Sequence, residues 1–452
     1  MNAAGDEARN HRAASGATAL RLLGIGCGPP GPPALPLLLV LFSILPACGS
    51  SFRETPPPAP AEFPGEEARS EGGTAERLRN AAQPTYRVYV ANEASDDVSL
   101  VAFTPGEGAE VEKTIPVGTM PGDIDGAHGI TVSPDGSRWY VSIAHGTPNG
   151  SLWQFATGAD TLLARTELGR FPATMGISSD GTMIFVVNFN LHGDPVPSDV
   201  SAVYTPSMTP LSRIPTCVRP HGSRVNVAGT VHYSGCTGSD QVVAIDTRRL
   251  EVATRFSVVP GREGVLPLSN TGEERTPAGS AESDTTGIDR IVPAPDLQRR
   301  CSPTWVEPAR GVDADRLVYV ACNQNGEVLS VSTDSWEVVD RLSTGPRPYN
   351  MEITPDGRYL LVTRRTDEGG LVVFDLDADG EEVARLETSE SLSHGVVASS
   401  DDRYAFVTNE AVGSTRGTLD VFDLQRMERV ASVTLGHQSG GIDFWEIQRF
   451  GR

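Results

Sequence analysis

Short alternating apolar runs recur along the chain from Thr85 onward. They read Val88-Tyr89-Val90-Ala91-Asn92, Trp139-Tyr140-Val141-Ser142, Ile184-Phe185-Val186-Val187-Asn188, Val231-His232-Tyr233-Ser234, Val318-Tyr319-Val320-Ala321, Tyr359-Leu360-Leu361-Val362-Thr363 and Tyr404-Ala405-Phe406-Val407-Thr408-Asn409. A period of two over four to six residues predicts a strand. Most copies follow a turn of the Ser-Pro-Asp-Gly type, at 133–136, 178–181, 354–357 and 399–402, which reverses the chain tightly between two strands. Most are followed by a third run, such as Gln241 to Asp246 or Leu371 to Asp375, and then a fourth, such as Arg429 to Gly436.

Four short strands per unit, in seven units spaced roughly 40 to 50 residues apart with one longer gap, predict an all-β fold. The architecture expected is a seven-bladed β-propeller of four-stranded antiparallel blades. The unit beginning at Tyr86 lacks a first strand of its own, and Gly440-Gly441-Ile442-Asp443-Phe444-Trp445 at the chain end supplies one. The C-terminal strand should therefore close the ring, which removes a frayed edge. On these residues the chain resembles the YVTN-type seven-bladed propeller family, named for strands such as Tyr404 to Asn409, over residues 86 to 447. Relatives of that type include lactonase-like proteins, surface-antigen-like repeats and propeller domains of redox enzymes. The resemblance implies the fold and leaves the activity open.

The domain reading has three parts. Residues 1–48 read as an export signal: Arg9, Arg12 and Arg21 precede the apolar run Ala34 to Ala47, which ends in Leu45-Pro46-Ala47-Cys48-Gly49-Ser50, similar to a bacterial lipoprotein box. Cys48 is then the expected lipid anchor, and the protein is expected to be exported, periplasmic or on the cell surface, and membrane-held; plain secretion is the alternative. Residues 49–84 are rich in Pro, Glu, Gly, Ala and Ser and read as a disordered tether. Residues 85–452 form the propeller, with a polar, aperiodic insertion at 260–300 that reads as a surface loop or a lid over the channel.

Export places Cys217, Cys236, Cys301 and Cys322 in an oxidising compartment. Cys236 and Cys322 each lie six residues before Val242 and Val328, as Asn92 lies six before Val98, so both end a second strand. Cys217 and Cys301 sit just before first strands, which run antiparallel to those second strands. This register favours Cys217 with Cys236 and Cys301 with Cys322. A four-thiolate metal site is the competing reading, for which the spacing lacks paired Cys-x-x-Cys knuckles.

The same register organises the histidines. Eight positions before the turn residues Gly136, Gly229 and Asp402 stand His128, His221 and His394, each followed by Gly, at the starts of the first strands of blades 2, 4 and 7. The equivalent residues elsewhere are Ala173, Thr304, Tyr349 and Gly440. His145 and His192 lie in loops joining second to third strands, and His437 precedes the closing strand. All six are expected on one face at the channel mouth, so His128, His145, His192, His221, His394 and Tyr349 are ligand-binding candidates. His128, His221 and His394 could hold Zn or Cu, or each His-Gly could simply satisfy a turn. Arg347, Arg364 and Arg365 could line the channel for an anionic ligand.

Charge narrows the partners. With 37 basic and 58 acidic residues the net charge is -21, which argues against nucleic acid. No Gly-x-Ser-x-Gly elbow, phosphate loop, dinucleotide fingerprint, HExxH or Cys-x-x-Cys-His occurs in the sequence. The expectation is a monomeric, membrane-tethered module that binds a small molecule or protein through its histidine face. The alternative is an enzyme on that face, either a lactonase-like hydrolase or a metal-assisted oxidoreductase.

Overall fold

Alternating apolar residues form strands wherever the repeat places them. The computed structural model describes residues 83–119, 122–145, 148–268 and 300–449, all in the unit Ser70–Arg452. The leader with Cys48, nearly all of the tether and most of the 260–300 insertion lie outside the described residues. Among the described residues seven antiparallel sheets form a closed ring, in which each innermost strand packs beside the next and the last returns to the first. The fold is a seven-bladed β-propeller.

Blade 1 consists of Thr85–Asn92, Asp97–Thr104 and Gly108–Pro116, with Ser439–Gln448 as its innermost strand. The innermost strands of blades 2 to 7 are Ala127–Val132, Pro172–Ile177, Pro220–Val225, Pro303–Pro308, Pro348–Ile353 and Ser393–Ala398. The ring is thus closed by the chain end, where Ser439 Oγ donates to Asn92 Oδ1 at 2.6 Å. Blade 4 departs from the plan. The stretch read as a surface loop contributes a fifth strand, Gly264–Leu266, which pairs with the outer edge of Glu251–Ser257 and satisfies backbone groups left open there.

The core lies between blades. One cluster joins blades 1 and 2 through Tyr89, Ile115, Trp139 and Trp153, with Tyr89 stacked on Trp139 at 5.1 Å and Trp139 on Phe155 at 4.1 Å. Others join blades 3 with 4 and 5 with 6 in the same way. Each blade buries its faces against neighbours, so the ring is stabilised as a whole.

The turns follow the sequence signature. In 133–136 the Gly136 N–H donates to Ser133 O at 2.8 Å, Ser133 Oγ donates to Asp135 at 2.6 Å, and Gly136 takes φ 69°. The second-strand ends also repeat a device. Asn92 Nδ2 donates to Asp97 and Ser99, Asn188 to Asp199 and Ser201, and Asn409 to Thr418 and Asp420. In blades 4 and 5 the equivalent residues are Cys236 and Cys322, and disulfides Cys217–Cys236 and Cys301–Cys322 replace that latch. Both pairs are those the register favours, and neither belongs to a thiolate metal site.

Candidate functional site

Every blade delivers its innermost strand to the channel by one device. The residue just before the strand is left-handed in all seven blades: Gly126, Phe171, Arg219, Ser302, Arg347, Leu392 and Gln438 have φ between 49° and 73°. For the six that are not glycine this conformation costs about 1 kcal/mol. It is offset by a hydrogen bond, because each carbonyl accepts the N–H of the residue following the second strand, at 2.8 to 3.4 Å. Those residues are Glu93, Ala144, Phe189, Thr237, Asn323, Arg365 and Glu410, and they form a crown over the channel mouth.

Within the first four residues of each innermost strand the ladder slips. A bulge re-aims side chains, so the second and fifth residues both face the axis instead of opposite sides. The third residue explains the repeated His-Gly. A Cβ on Gly129 would lie 2.2 Å from Ala173 O, and one on Gly222 would lie 2.2 Å from Thr304 O. Glycine there lets neighbouring blades approach, while the preceding histidine reaches the channel.

The second residues make a tier of rings. His128 lies 6.1 Å from both His221 and His394 between ring centroids, and Tyr349 lies 5.6 Å from His221 and 4.7 Å from His394. His145 and His192 join through Phe171, whose ring is 5.5 Å from His128, 5.1 Å from His145 and 5.3 Å from His192. Five of the six expected histidines thus form one network with Tyr349. His437 lies on the same face but joins through backbone, its N–H donating to Ser95 Oγ. His232 lies elsewhere, stacked at 5.3 Å on Phe185 in the core, where burial pushes it down to about 3.

The crown supplies the charge. Glu93 accepts hydrogen bonds from His128 Nδ1 at 2.7 Å and His145 Nε2 at 2.9 Å. Burial alone would raise the Glu93 carboxyl, but the charge and hydrogen bonds of His128 and His145 hold it well below the usual range. Burial likewise disfavours His128 cation, yet Glu93 beside it raises that imidazole. His221 is pushed down to about 4 by burial and then by the charge of His128. His394 is lowered for the same two reasons. Burial and the neighbouring His128 thus disfavour the cationic form at His221 and His394, while Glu93 favours it at His128. His221 Nδ1 donates to Thr304 O at 3.0 Å, so Tyr349 OH donates to Nε2 at 3.3 Å. Glu410 lies 3.4 Å from His394 Nε2 and accepts from Arg365 at 2.5 Å, and Arg365 stands 5.4 Å over the Tyr349 ring. Arg365 thus belongs to the site. Arg364 instead donates to Gly369 O, and Arg347 contributes its carbonyl as a lead-in residue.

Beneath this tier lies a chamber of about 20 Å³, walled in part by His128, His394, Asn350, Trp305 and Arg224. His128 Nε2, His394 Nδ1 and Asn350 Oδ1 are buried without a partner. Among the described residues no three His, Cys, Asp or Glu side chains are close enough together to hold a metal ion. His128, His221 and His394 as they stand offer two bare nitrogens, the third being engaged by Tyr349.

The fifth residues form a second tier at the far mouth. Arg224 lies 3.3 Å from Glu307 and 3.4 Å from Glu352, and Arg310 lies 3.0 Å from Glu352. Asp443 accepts from Thr131 Oγ1 and Val132 N. Beyond them opens a cavity of about 630 Å³ lined by Arg310, Glu352, Asp443 and Trp445.

The model of a family described as "Lactonase, 7-bladed beta-propeller" matches residues 66–191. The first blades are lactonase-like in sequence. That stretch includes Glu93, His128 and His145 and spans less than half of the chain. No curated protein matches. Among solved structures, a Pseudomonas aeruginosa periplasmic gluconolactonase has TM-score 0.58 at 15% identity, covering 80% of this chain and all of its own. A functionally unknown protein from Desulfotomaculum acetoxidans has TM-score 0.55 at 15% identity, covering 79% of this chain and 98% of its own. Kuenenia stuttgartiensis hydrazine synthase has TM-score 0.51 at 17% identity, covering 71% and 91%. At such identities these likenesses establish the fold alone.

Proposed function

We propose that the protein is a lactonase-like hydrolase whose site is the crowned histidine face. The observation that carries this reading is the Glu93 carboxylate shared by His128 and His145. Glu93 engages Nε2 of the partly exposed His145. Among the described residues its Nδ1 has no protein partner, so it is free to act as a base toward the mouth. A flat cyclic ester rests on the floor formed by Phe171, Phe189, Tyr349 and the imidazoles. His145 takes a proton from water as the water oxygen attacks the carbonyl carbon. The developing negative oxygen is stabilised by the Arg365 guanidinium, which is one-third exposed at the mouth. The ring C–O bond then breaks, His145 returns the proton to the leaving alkoxide, and the product is the open hydroxy acid. The partial family match and the gluconolactonase neighbour support this choice of substrate class.

The test is hydrolysis of an aldonolactone panel followed by titration of released acid, with His145→Ala as the inactive comparison. A lactone that binds without turnover would favour the plain binding module instead. We further propose that the site works outside the cytoplasm, tethered through Cys48. The basic, apolar leader and the two disulfides support that location. Palmitate labelling should mark the wild type and not Cys48→Ser, and equal labelling would remove the tether.

A further inference from the structure

We propose that the chamber on the channel axis binds one borderline divalent cation of the Zn2+ class, held by His128 Nε2, His394 Nδ1 and Asn350 Oδ1. Three observations converge on it. The first is size: at about 20 Å³ the chamber is large enough to hold one ion or water. The second is the set of unpartnered atoms. His394 is 3% exposed and Asn350 5%, and the chamber is the space that these two side chains and His128 share. Buried polar atoms without partners cost stability, so three around one chamber mark a place for a ligand.

The third observation is what stands behind the rings. His128 places Nδ1 on the Glu93 carboxylate at 2.7 Å, and His394 places Nε2 3.4 Å from Glu410. A carboxylate behind the outer nitrogen, with the inner nitrogen bare, is the arrangement that fixes the orientation of a metal-ligating imidazole and raises its basicity. Glu93 and Glu410 stand behind the two rings, where their carboxylates favour a cation at the inner nitrogens. Arg224 also walls the chamber, but its guanidinium is paired with Glu352 at 3.4 Å and stacks on Trp305 at 4.6 Å. Two imidazoles and an amide oxygen suit Zn2+ or its first-row neighbours better than Ca2+ or Mg2+. His221 is not a ligand here, because Tyr349 OH faces its Nε2.

The test uses the full chain dialysed against ZnSO4 and then exhaustively against buffer, with metal content measured by mass spectrometry and the position by anomalous scattering. About one Zn per chain is expected, on the axis between His128 and His394. Asn350→Leu and His394→Gln should each weaken binding by about tenfold or more, and His221→Gln should not. Asn350→Asp should tighten binding, a gain that damage to the fold cannot imitate. Failure to retain Zn, a Zn site elsewhere, ordered water in the chamber of Zn-soaked crystals, or affinity indifferent to Asn350→Asp would each overturn the proposal. Because metal content is read rather than turnover, these outcomes leave the hydrolytic reading to its own test.

Discussion

Removing the Glu93 carboxylate should damage both the stability and the chemistry of the near mouth. Glu93 is buried and accepts from two imidazoles, at 2.7 and 2.9 Å, one of them on the axis. Glu93→Ala leaves the His128 imidazole without its acceptor, and breaking a buried charged pair from one side costs about 3–5 kcal/mol. Glu93→Gln keeps the shape and one acceptor oxygen but loses the charge and one of the two bonds, which costs about 1–3 kcal/mol. The midpoint of guanidinium unfolding should therefore fall in the order wild type, Gln, Ala. A double-mutant cycle with His128→Asn should return a coupling of about 1–3 kcal/mol. Lactone hydrolysis should fall in both variants, because His145 loses the group that orients it. Equal midpoints, or full activity in Glu93→Ala, would refute the view that the crown carboxylate holds the histidine tier.

Replacing either cystine, Cys217–Cys236 or Cys301–Cys322, by serines should cost about 3 kcal/mol, since each closes a loop of about 20 residues; a midpoint unmoved by both pairs would refute this. At the far mouth, burial and then the charge of Glu352 push Glu307 up to about 8, against the opposing charges of Arg224 and Arg310, with Trp305 donating to it. A carboxyl raised on folding stabilises fully below its unfolded value near 4.5 and loses that contribution as pH rises toward 8. Stability should thus decline over that window by a few kcal/mol at most, and Glu307→Gln should flatten the decline. An unchanged slope in the variant would assign the pH dependence to other groups.

The ring was legible because its signal is repeated: seven alternating runs, turns closed by a left-handed Gly or Asp, and a chain end that supplies the missing strand. The disulfides were legible because Cys236 and Cys322 stand in the register of Asn92. The histidine tier followed from the same counting. What stayed hidden was the company those histidines keep. The crown is placed by a backbone hydrogen bond to a left-handed residue, so its side chains share no pattern across Glu93, Ala144, Phe189, Thr237, Asn323, Arg365 and Glu410. One trace existed, the repeated Asn92-Glu93-Ala94 and Asn409-Glu410-Ala411, which marks both carboxylates. The far tier was hidden for a geometric reason. Simple alternation turns the fifth residue of a strand away from the side its second residue faces, and only the bulge brings Arg224, Glu307, Glu352 and Asp443 onto the axis beneath the histidines.

The most direct test of the hydrolytic site is the initial rate of acid release from an aldonolactone, compared among the wild type, His145→Ala and His437→Ala. His437 shares the face but not the ring network, so it reports damage to the surface alone. The account predicts wild-type hydrolysis above the spontaneous rate, a loss of about 10²–10⁴ in kcat for His145→Ala, and no loss for His437→Ala. A wild type no faster than buffer, or His145→Ala as fast as the wild type, would contradict it.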